Sequence, residues 1–259
     1  MSIDKKALLD SMRGGMIVSC QTEPHDPIHN DGRTVVMMAR AAEYGGAVGI
    51  RANKPEQVAA IHAAVNLPIV GLHKIYYDTV GTIIMTPTIE HAKALYDAGA
   101  QIIALDATQL PNHKGVPRCD LIKEIKKEIP DALIFADIDS YENAEHAIDL
   151  GADIVATTCM GITKESKALG YKRPDYGAVA RMAKGFRARA VVVMEGNIAY
   201  PMDAVKAMYM GADAIVVGSA ITRPHLIVRK FTDALNRYTT DWHKDEMIWF
   251  GDVTENKAE

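Results

Sequence analysis

Residues 204–220 read AVKAMYMGADAIVVGSA, and this stretch decides the fold because its pattern occurs three more times in the chain. The other copies are ARAAEYGGAVGIRA, AKALYDAGAQIIALDA and AEHAIDLGADIVATTC, at residues 39–52, 92–107 and 144–159. In each copy an Ala-rich amphipathic segment predicts a helix, and glycine ends that helix in the left-handed conformation. The apolar run that follows is typical of a strand buried on both faces. The repeat therefore predicts four helix–strand units.

The spacing of these units predicts four further strands between them. The shared glycines lie 52 to 60 residues apart, at Gly46, Gly99, Gly151 and Gly211. Because a βα unit takes about 30 residues, each interval should hold two units. The chain indeed has four more short apolar runs, at residues 16–20, 68–74, 132–137 and 190–195. Eight alternating βα units predict an α/β protein with one parallel (β/α)₈ TIM barrel, and a doubly wound open sheet is the alternative.

No break in composition divides the chain, so we expect a single barrel domain over residues 1–259. Residues 1–15 are expected to form an N-terminal helix that closes the bottom of the barrel. Residues from about 240 to 259 are expected to form a C-terminal tail, whose aromatic side chains pack on the barrel or on a partner subunit. A homodimer is the expected assembly.

Composition narrows the class of partner and the compartment. A formal net charge of −4 argues against a nucleic-acid-binding protein, which usually carries a basic stripe. The chain has no apolar run of about 20 residues, and charges interrupt its N-terminus, so neither a membrane span nor a signal peptide is expected. The three cysteines, without CxxC spacing, indicate free thiols in a reducing compartment. We therefore predict a cytoplasmic protein.

Polar side chains end most of the predicted strands, where a barrel of this type places its active site. Burial penalises such groups unless they meet partners or ligand. Asp106 and Asp137 could each instead cap the following helix or pair with a lysine, and Arg51 could be one half of a structural ion pair. The candidates in chain order are Cys20, Gln21, Arg51, Lys74, Asp106, Asp137, Thr157, Thr158, Glu195, Gly218 and Ser219.

Two glycine turns predict an anion site. EGNIAYP follows the seventh predicted strand and GSAITRP the eighth, which places Gly196 and Gly218 at βα turns before helices. Loops after strands seven and eight often bind phosphate in barrels, and Arg223 lies close enough to add charge. The sequence has no GxxxxGK[ST], GxGxxG, HExxH or HxH pattern, so no nucleotide cofactor and no metal is expected.

These motifs together resemble those of the bacterial N-acetylmannosamine-6-phosphate 2-epimerases. The resemblance runs from about residue 14 to residue 231, and the ordered set IVSCQ, GIRAN and IALDAT is its most specific part. It implies a cofactor-free isomerase that interconverts N-acetylmannosamine 6-phosphate and N-acetylglucosamine 6-phosphate in sialic-acid breakdown. The chain departs from the family pattern at His73, at residues 109–115 and at Asn197.

The resemblance also implies roles for single residues. Lys74 matches the catalytic lysine and Glu195 the catalytic glutamate of the family. The polar substrate-contacting positions are matched by Gln21, Arg51, Asp137 and Arg223, and the phosphate-binding residues are expected to be Gly196, Asn197, Gly218 and Ser219.

Other functions stay open from the sequence. On the same barrel, Lys74 could form a Schiff base in an aldolase, or the chain could be another sugar-phosphate isomerase. A non-catalytic sensor of sugar phosphates is a third reading.

Overall fold

The computed structural model describes residues 4–30 and 32–242, with side chains through residue 237. Eight of its strands form a closed parallel barrel in the order β1-β10-β9-β8-β7-β6-β3-β2, while β4 and β5 form a separate antiparallel hairpin. The strands are β1 (Met16–Ser19), β2 (Gly49–Asn53), β3 (Ile69–Leu72), β4 (Lys74–Tyr77), β5 (Thr82–Met85), β6 (Ile102–Asp106), β7 (Leu133–Asp137), β8 (Ile154–Ala156), β9 (Val191–Glu195) and β10 (Ala214–Val217). The predicted (β/α)₈ barrel is confirmed.

Helices occupy the connections between the strands. They are α1 (Lys5–Met12), α2 (Arg33–Tyr44), α3 (Pro55–His62), α4 (Ile89–Asp97), α5 (Leu121–Glu128), α6 (Tyr141–Leu150), α7 (Lys164–Ala168), α8 (Tyr176–Phe186), α9 (Pro201–Tyr209), α10 (Ser219–Thr222) and α11 (Pro224–Trp242). Short 3₁₀ turns at Arg118–Asp120 and Thr157–Cys159 follow β6 and β8. Within the described ranges, no helix is long and apolar enough to cross a bilayer.

The repeated glycines end their helices as predicted. Gly46, Gly99, Gly151 and Gly211 all have positive φ, between 87° and 108°. At Gly211 a Cβ atom would lie 2.8 Å from Cβ of Ala183, so the helix also packs too closely there for a side chain. The copies lead into β2, β6, β8 and β10, which are every second strand of the barrel.

Two apolar layers build the core. One lies between the strands and the surrounding helices, and the other fills the barrel with residues such as Ile17, Val70 and Phe135. Met12 of α1 is 1% exposed and belongs to the inner layer, with Leu8 and Leu9 packed against it. Helix α1 therefore closes the bottom of the barrel, as expected. Of the predicted tail, residues 240–242 continue the backbone of α11, and the remainder lies outside the described residues.

One predicted strand is wrong at its end. The apolar run at residues 68–74 was expected to be a single strand, but β3 stops at Leu72 and Lys74 begins the hairpin. Lys74 pairs with Met85, and the hairpin is fixed to the barrel by Thr86, which donates from its hydroxyl to the carbonyl of Ala104 at 2.6 Å. Lys74 therefore stands on a separate element above the third strand.

Candidate active site

A pocket of about 480 Å³ opens at the carboxyl ends of the barrel strands. Of the ten residues to which the family resemblance assigns a role, nine line it: Gln21, Arg51, Lys74, Glu195, Gly196, Asn197, Gly218, Ser219 and Arg223. Asp137 is the exception among them, because its side chain is fully buried behind Arg51. The barrel therefore brings together residues that are up to 202 positions apart in sequence.

A buried charge cluster forms the floor of this pocket. The Arg51 guanidinium donates to both carboxylate oxygens of Asp137, at 2.9 and 2.7 Å, and to Oε2 of Glu195 at 2.7 Å. Thr158 donates from its hydroxyl toward Oδ1 of Asp137 and lies 3.2 Å from Oε2 of Glu195. The side chains of Arg51 and Asp137 are 1% and 0% exposed, whereas that of Glu195 is 14% exposed. Glu195 is thus the most exposed of the three charged side chains in the cluster.

The neighbouring charges set the proton affinities in this cluster. Burial raises the pKa of the Glu195 carboxyl above its ordinary value, although the Arg51 guanidinium opposes the effect. Burial lowers the pKa of Arg51, but the charges of Asp137 and Glu195 outweigh it and raise that pKa above its ordinary value. Arg51 therefore stays charged, and Glu195 can exchange a proton closer to neutral pH than an ordinary glutamate.

Lys74 lies at another part of the pocket wall and has a different partner. Its Nζ donates to Oε1 of Glu23 at 2.8 Å, and the side chains of both residues are 25% exposed. Glu23 belongs to the loop after β1, which also carries Asp26. The same loop contacts Arg223, whose Nε lies 3.4 Å from Oδ2 of Asp26. Sequence reasoning did not identify either acidic residue.

Most of the charged side chains that line the pocket are cationic. Among the described residues, five cationic side chains line it against one carboxylate, that of Glu195; the cations are Arg51, Lys74, Arg173, Arg223 and Lys230. Arg173 and Lys230 were not predicted, because they lie on a loop and a helix away from the strand ends. Arg173 packs over Gly196, where an added Cβ atom would be 2.9 Å from its Nε. This distribution suits an anionic ligand such as a phosphate ester.

The two glycine turns lie beside the pocket and differ in backbone geometry, since Gly218 has φ −114°. Gly196 has φ 125° and Asn197 φ 55°, so both residues after β9 are left-handed. The Asn197 side-chain amide donates to the carbonyl of Arg173 at 3.2 Å. Gly218 follows β10 directly and leads into α10. Both turns lie at the pocket and bring backbone close to any ligand there.

Two further observations bear on ligand binding. Oε1 of Gln21 is buried without a hydrogen-bond partner, while Nε2 of the same amide donates to Oγ of Ser19 at 2.9 Å. A buried acceptor without a partner is costly, so a ligand hydroxyl or amide N–H would satisfy it. Among the residues that the structure describes, no group of three or more His, Cys, Asp or Glu side chains is arranged to hold a metal ion.

Asp106, another predicted strand-end residue, forms contacts within the protein and lies outside the pocket lining. Its carboxylate accepts from Nη1 of Arg118 at 2.6 Å and from the hydroxyl of Thr108 at 2.7 Å. Asp106 is therefore part of a structural ion pair, with an arginine in place of the expected lysine.

A closed parallel barrel with a charged pocket at the carboxyl ends of its strands defines the class of (β/α)₈-barrel enzymes. Residues 35–237 match the family model described as "Putative N-acetylmannosamine-6-phosphate epimerase". The chain belongs to this N-acetylmannosamine-6-phosphate epimerase family, whose members are isomerases.

Individual relatives agree with this assignment. A protein of Caldanaerobacter subterraneus subsp. tengcongensis, named "Putative N-acetylmannosamine-6-phosphate 2-epimerase", is 41% identical over a region that covers 86% of this chain and 92% of its own length. A protein of Listeria monocytogenes with the same name is 34% identical over a region that covers 89% of this chain and 98% of its own length. The solved structure of N-acetylmannosamine-6-phosphate 2-epimerase from Clostridium perfringens has a TM-score of 0.79 and 35% identity, covering 88% of this chain and 96% of that one.

Proposed function

We propose that this chain interconverts N-acetylmannosamine 6-phosphate and N-acetylglucosamine 6-phosphate by removing and returning the proton at C2. The family membership and the similarity to the Clostridium perfringens enzyme support the reaction. The observation that carries it is the arrangement of Lys74 and Glu195 on the wall and floor of one cationic pocket. A volume of about 480 Å³ is in the usual range of small-molecule sites.

The chemistry requires two proton-transfer groups and stabilisation of negative charge. The C2 proton becomes acidic once the sugar ring has opened to the aldehyde, and its removal leaves an enolate that needs a nearby cation or donor. Inversion then requires that the proton return to the opposite face. Lys74 lies on the hairpin and Glu195 at the end of β9. Because these are separate elements, the two side chains can approach a sugar from different sides. Arg51 adds a permanent positive charge beside Glu195.

The other predicted residues have supporting roles in this proposal. Arg223 and the backbone at Gly196, Asn197, Gly218 and Ser219 bind the 6-phosphate, and Gln21 accepts a hydrogen bond from the sugar. Asp137 acts through Arg51, since its carboxylate is fully buried behind the guanidinium.

A proton NMR time course in deuterated water tests the reaction. The protein should convert N-acetylmannosamine 6-phosphate to the gluco epimer and place deuterium at C2. Lys74→Ala and Glu195→Gln should each lower kcat by about 10²- to 10⁴-fold, the usual range for a general acid or base, with binding much less affected. The double variant should be little worse than the poorer single one, because residues that act as a unit are not additive. Near-normal turnover by Glu195→Gln would remove the carboxylate from the mechanism.

A Schiff base gives a different result in the same system. If Lys74 formed an imine with the sugar aldehyde, borohydride would fix a substrate adduct that mass spectrometry detects on this residue. Lys74 Nζ is hydrogen-bonded to the Glu23 carboxylate at 2.8 Å, and proton transfer at C2 needs no covalent bond between the lysine and the sugar. We therefore expect no adduct.

The cellular setting and the assembly are further parts of the proposal. We propose that the enzyme acts in sialic-acid breakdown in the cytoplasm. Val228, Phe231 and Leu235 of α11 are 60%, 68% and 61% exposed and recur at helical spacing, which supports a homodimer built through this helix. Light scattering after size-exclusion chromatography should show a dimer, and Phe231→Glu should shift it toward the monomer.

A further inference from the structure

One carboxylate oxygen joins the two ends of the proposed site. Oε1 of Glu23 accepts from Lys74 Nζ at 2.8 Å and also lies 3.7 Å from Nη2 of Arg223. Lys74 is the proposed proton-transfer lysine, and Arg223 is the proposed phosphate ligand. Glu23 therefore links two residues with separate tasks, although it does not line the pocket itself.

Asp26, the second acidic residue of the loop, holds Arg223 in a different way. Its side chain is 1% exposed, and its Oδ2 accepts from the backbone N–H of Glu23 at 2.8 Å. It faces Nε of Arg223 at 3.4 Å, and its Oδ1 lies 3.4 Å from Nε2 of His225. Asp26 is thus a buried partner of the arginine. Glu23, with a quarter of its side chain exposed, faces a different nitrogen, Nη2, at the longer distance of 3.7 Å.

We propose that Glu23 is a positioning residue that makes proton transfer by Lys74 depend on the phosphate of the substrate. This inference rests on the proposed function. A phosphate that binds Arg223 repels the Glu23 carboxylate and competes with it for Nη2. Because both contacts use Oε1, displacement from Arg223 also withdraws that oxygen from Lys74. The Lys74 amine then becomes available to C2, so a sugar without phosphate leaves it paired with the carboxylate.

The Glu23→Gln variant separates this role from a structural one. The amide is nearly the same size and removes only the charge, so phosphate should no longer meet a competing anion. Isothermal titration with inorganic phosphate should show binding that is about 2- to 5-fold tighter than in the unchanged protein, the range that a partly exposed ion pair provides. A matched control is Glu142→Gln, which removes an exposed ion pair with Arg181 between α6 and α8 and should leave phosphate binding unchanged.

The second measurement compares two sugars. The rate of deuterium uptake at C2 is followed at saturating N-acetylmannosamine 6-phosphate and at saturating unphosphorylated N-acetylmannosamine, so that the tighter binding of phosphate does not enter the comparison. In Glu23→Gln the preference for the phosphorylated sugar should fall by about 2- to 5-fold, because the lysine no longer depends on phosphate for its release. A residue that only supports the loop would slow both sugars equally and leave the preference unchanged.

The outcomes are distinguishable from failure of the proposed function. If the unchanged protein exchanges no C2 proton of the phosphorylated sugar, the proposed function is wrong, and the phosphate titration still tests the competition. If it does exchange that proton, and Glu23→Gln binds phosphate equally well or more weakly, the inference alone is overturned. An equal loss of rate for both sugars overturns it as well.

Discussion

Replacing Arg51 with methionine tests the buried charge cluster at the floor of the pocket. The guanidinium is 1% exposed and contacts Asp137 and Glu195 at 2.7 to 2.9 Å. Methionine has a similar length but no charge and no donor. The substitution therefore leaves two carboxylates in the barrel without their cation.

The expected cost follows from the burial of those carboxylates. Breaking a buried ion pair by removing one partner typically costs about 3 to 5 kcal/mol, because an uncompensated charge remains. For a chain of this size each kcal/mol corresponds to roughly 2 to 4 °C in Tm, so Tm should fall by about 6 to 20 °C. The hydroxyl of Thr158, which contacts both carboxylates, compensates only in part.

Urea unfolding followed by circular dichroism measures the loss at pH 8 and at pH 5.5. An ionised carboxylate without a partner destabilises the folded state, and proton uptake relieves this as the pH falls. The difference in free energy of unfolding between Arg51→Met and the unchanged protein should therefore shrink at pH 5.5. The double variant Arg51→Met/Asp137→Leu should recover part of the loss, since a buried pair can be exchanged for apolar groups at little cost.

Two results would refute this reasoning. A loss below about 1 kcal/mol for Arg51→Met would mean that water or backbone groups solvate the carboxylates well enough without the arginine. A double variant less stable than the single one would mean that Asp137 contributes independently of Arg51.

Four further predictions concern other parts of the molecule. The pKa of Glu195 is raised and only its ionised form can accept a proton, so kcat should fall on acidification at a pH above the ordinary pKa of glutamate. Glu195→Gln should abolish this acidic limb of the pH profile of kcat. Arg223→Ala should raise KM for the phosphorylated sugar with a smaller effect on kcat, and an unchanged KM would place the phosphate elsewhere. Gly211→Ala should lower the free energy of unfolding by more than about 1 kcal/mol, because the backbone at this position has φ 100° and an added Cβ atom would lie 2.8 Å from Cβ of Ala183. An unchanged free energy of unfolding would show that the helix end shifts without cost. A thiol reagent at pH 8 should modify none of the three buried cysteines before unfolding, because burial raises the pKa of Cys20 to about 12, that of Cys119 to about 11 and that of Cys159 well above its ordinary value. Labelling of any of the three in the folded protein would contradict this.

The sequence was sufficient for the barrel because its signals are local. A glycine that ends a helix in the left-handed conformation is set by neighbouring residues, and Gly46, Gly99, Gly151 and Gly211 all have it. Strand-end positions then follow from strand order alone. For this reason Arg51 and Glu195 could be placed in one pocket before any contact was known.

What the sequence could not supply depends on long-range contacts or on loops. The hairpin begins only two residues after β3, and its strand KIYY has neither the length nor the alternation that marks a strand. Glu23 and Arg173 lie on loops, whose side-chain directions depend on tertiary packing. Asp137 was correctly placed at a strand end, but only the structure shows that the larger guanidinium of Arg51 lies between it and the pocket.

The glycine-ended helices that precede every second strand also divide the barrel into modules of similar construction. Three modules run from one such glycine to the next and contain two barrel strands each, while the fourth pair of barrel strands, β10 and β1, is divided between the two ends of the chain; the borders fall where the backbone already turns sharply. A protein engineer could cut the chain at these borders and recombine quarters from related barrels. The strand-end side chains, and with them the substrate preference, would travel with the quarter that carries them.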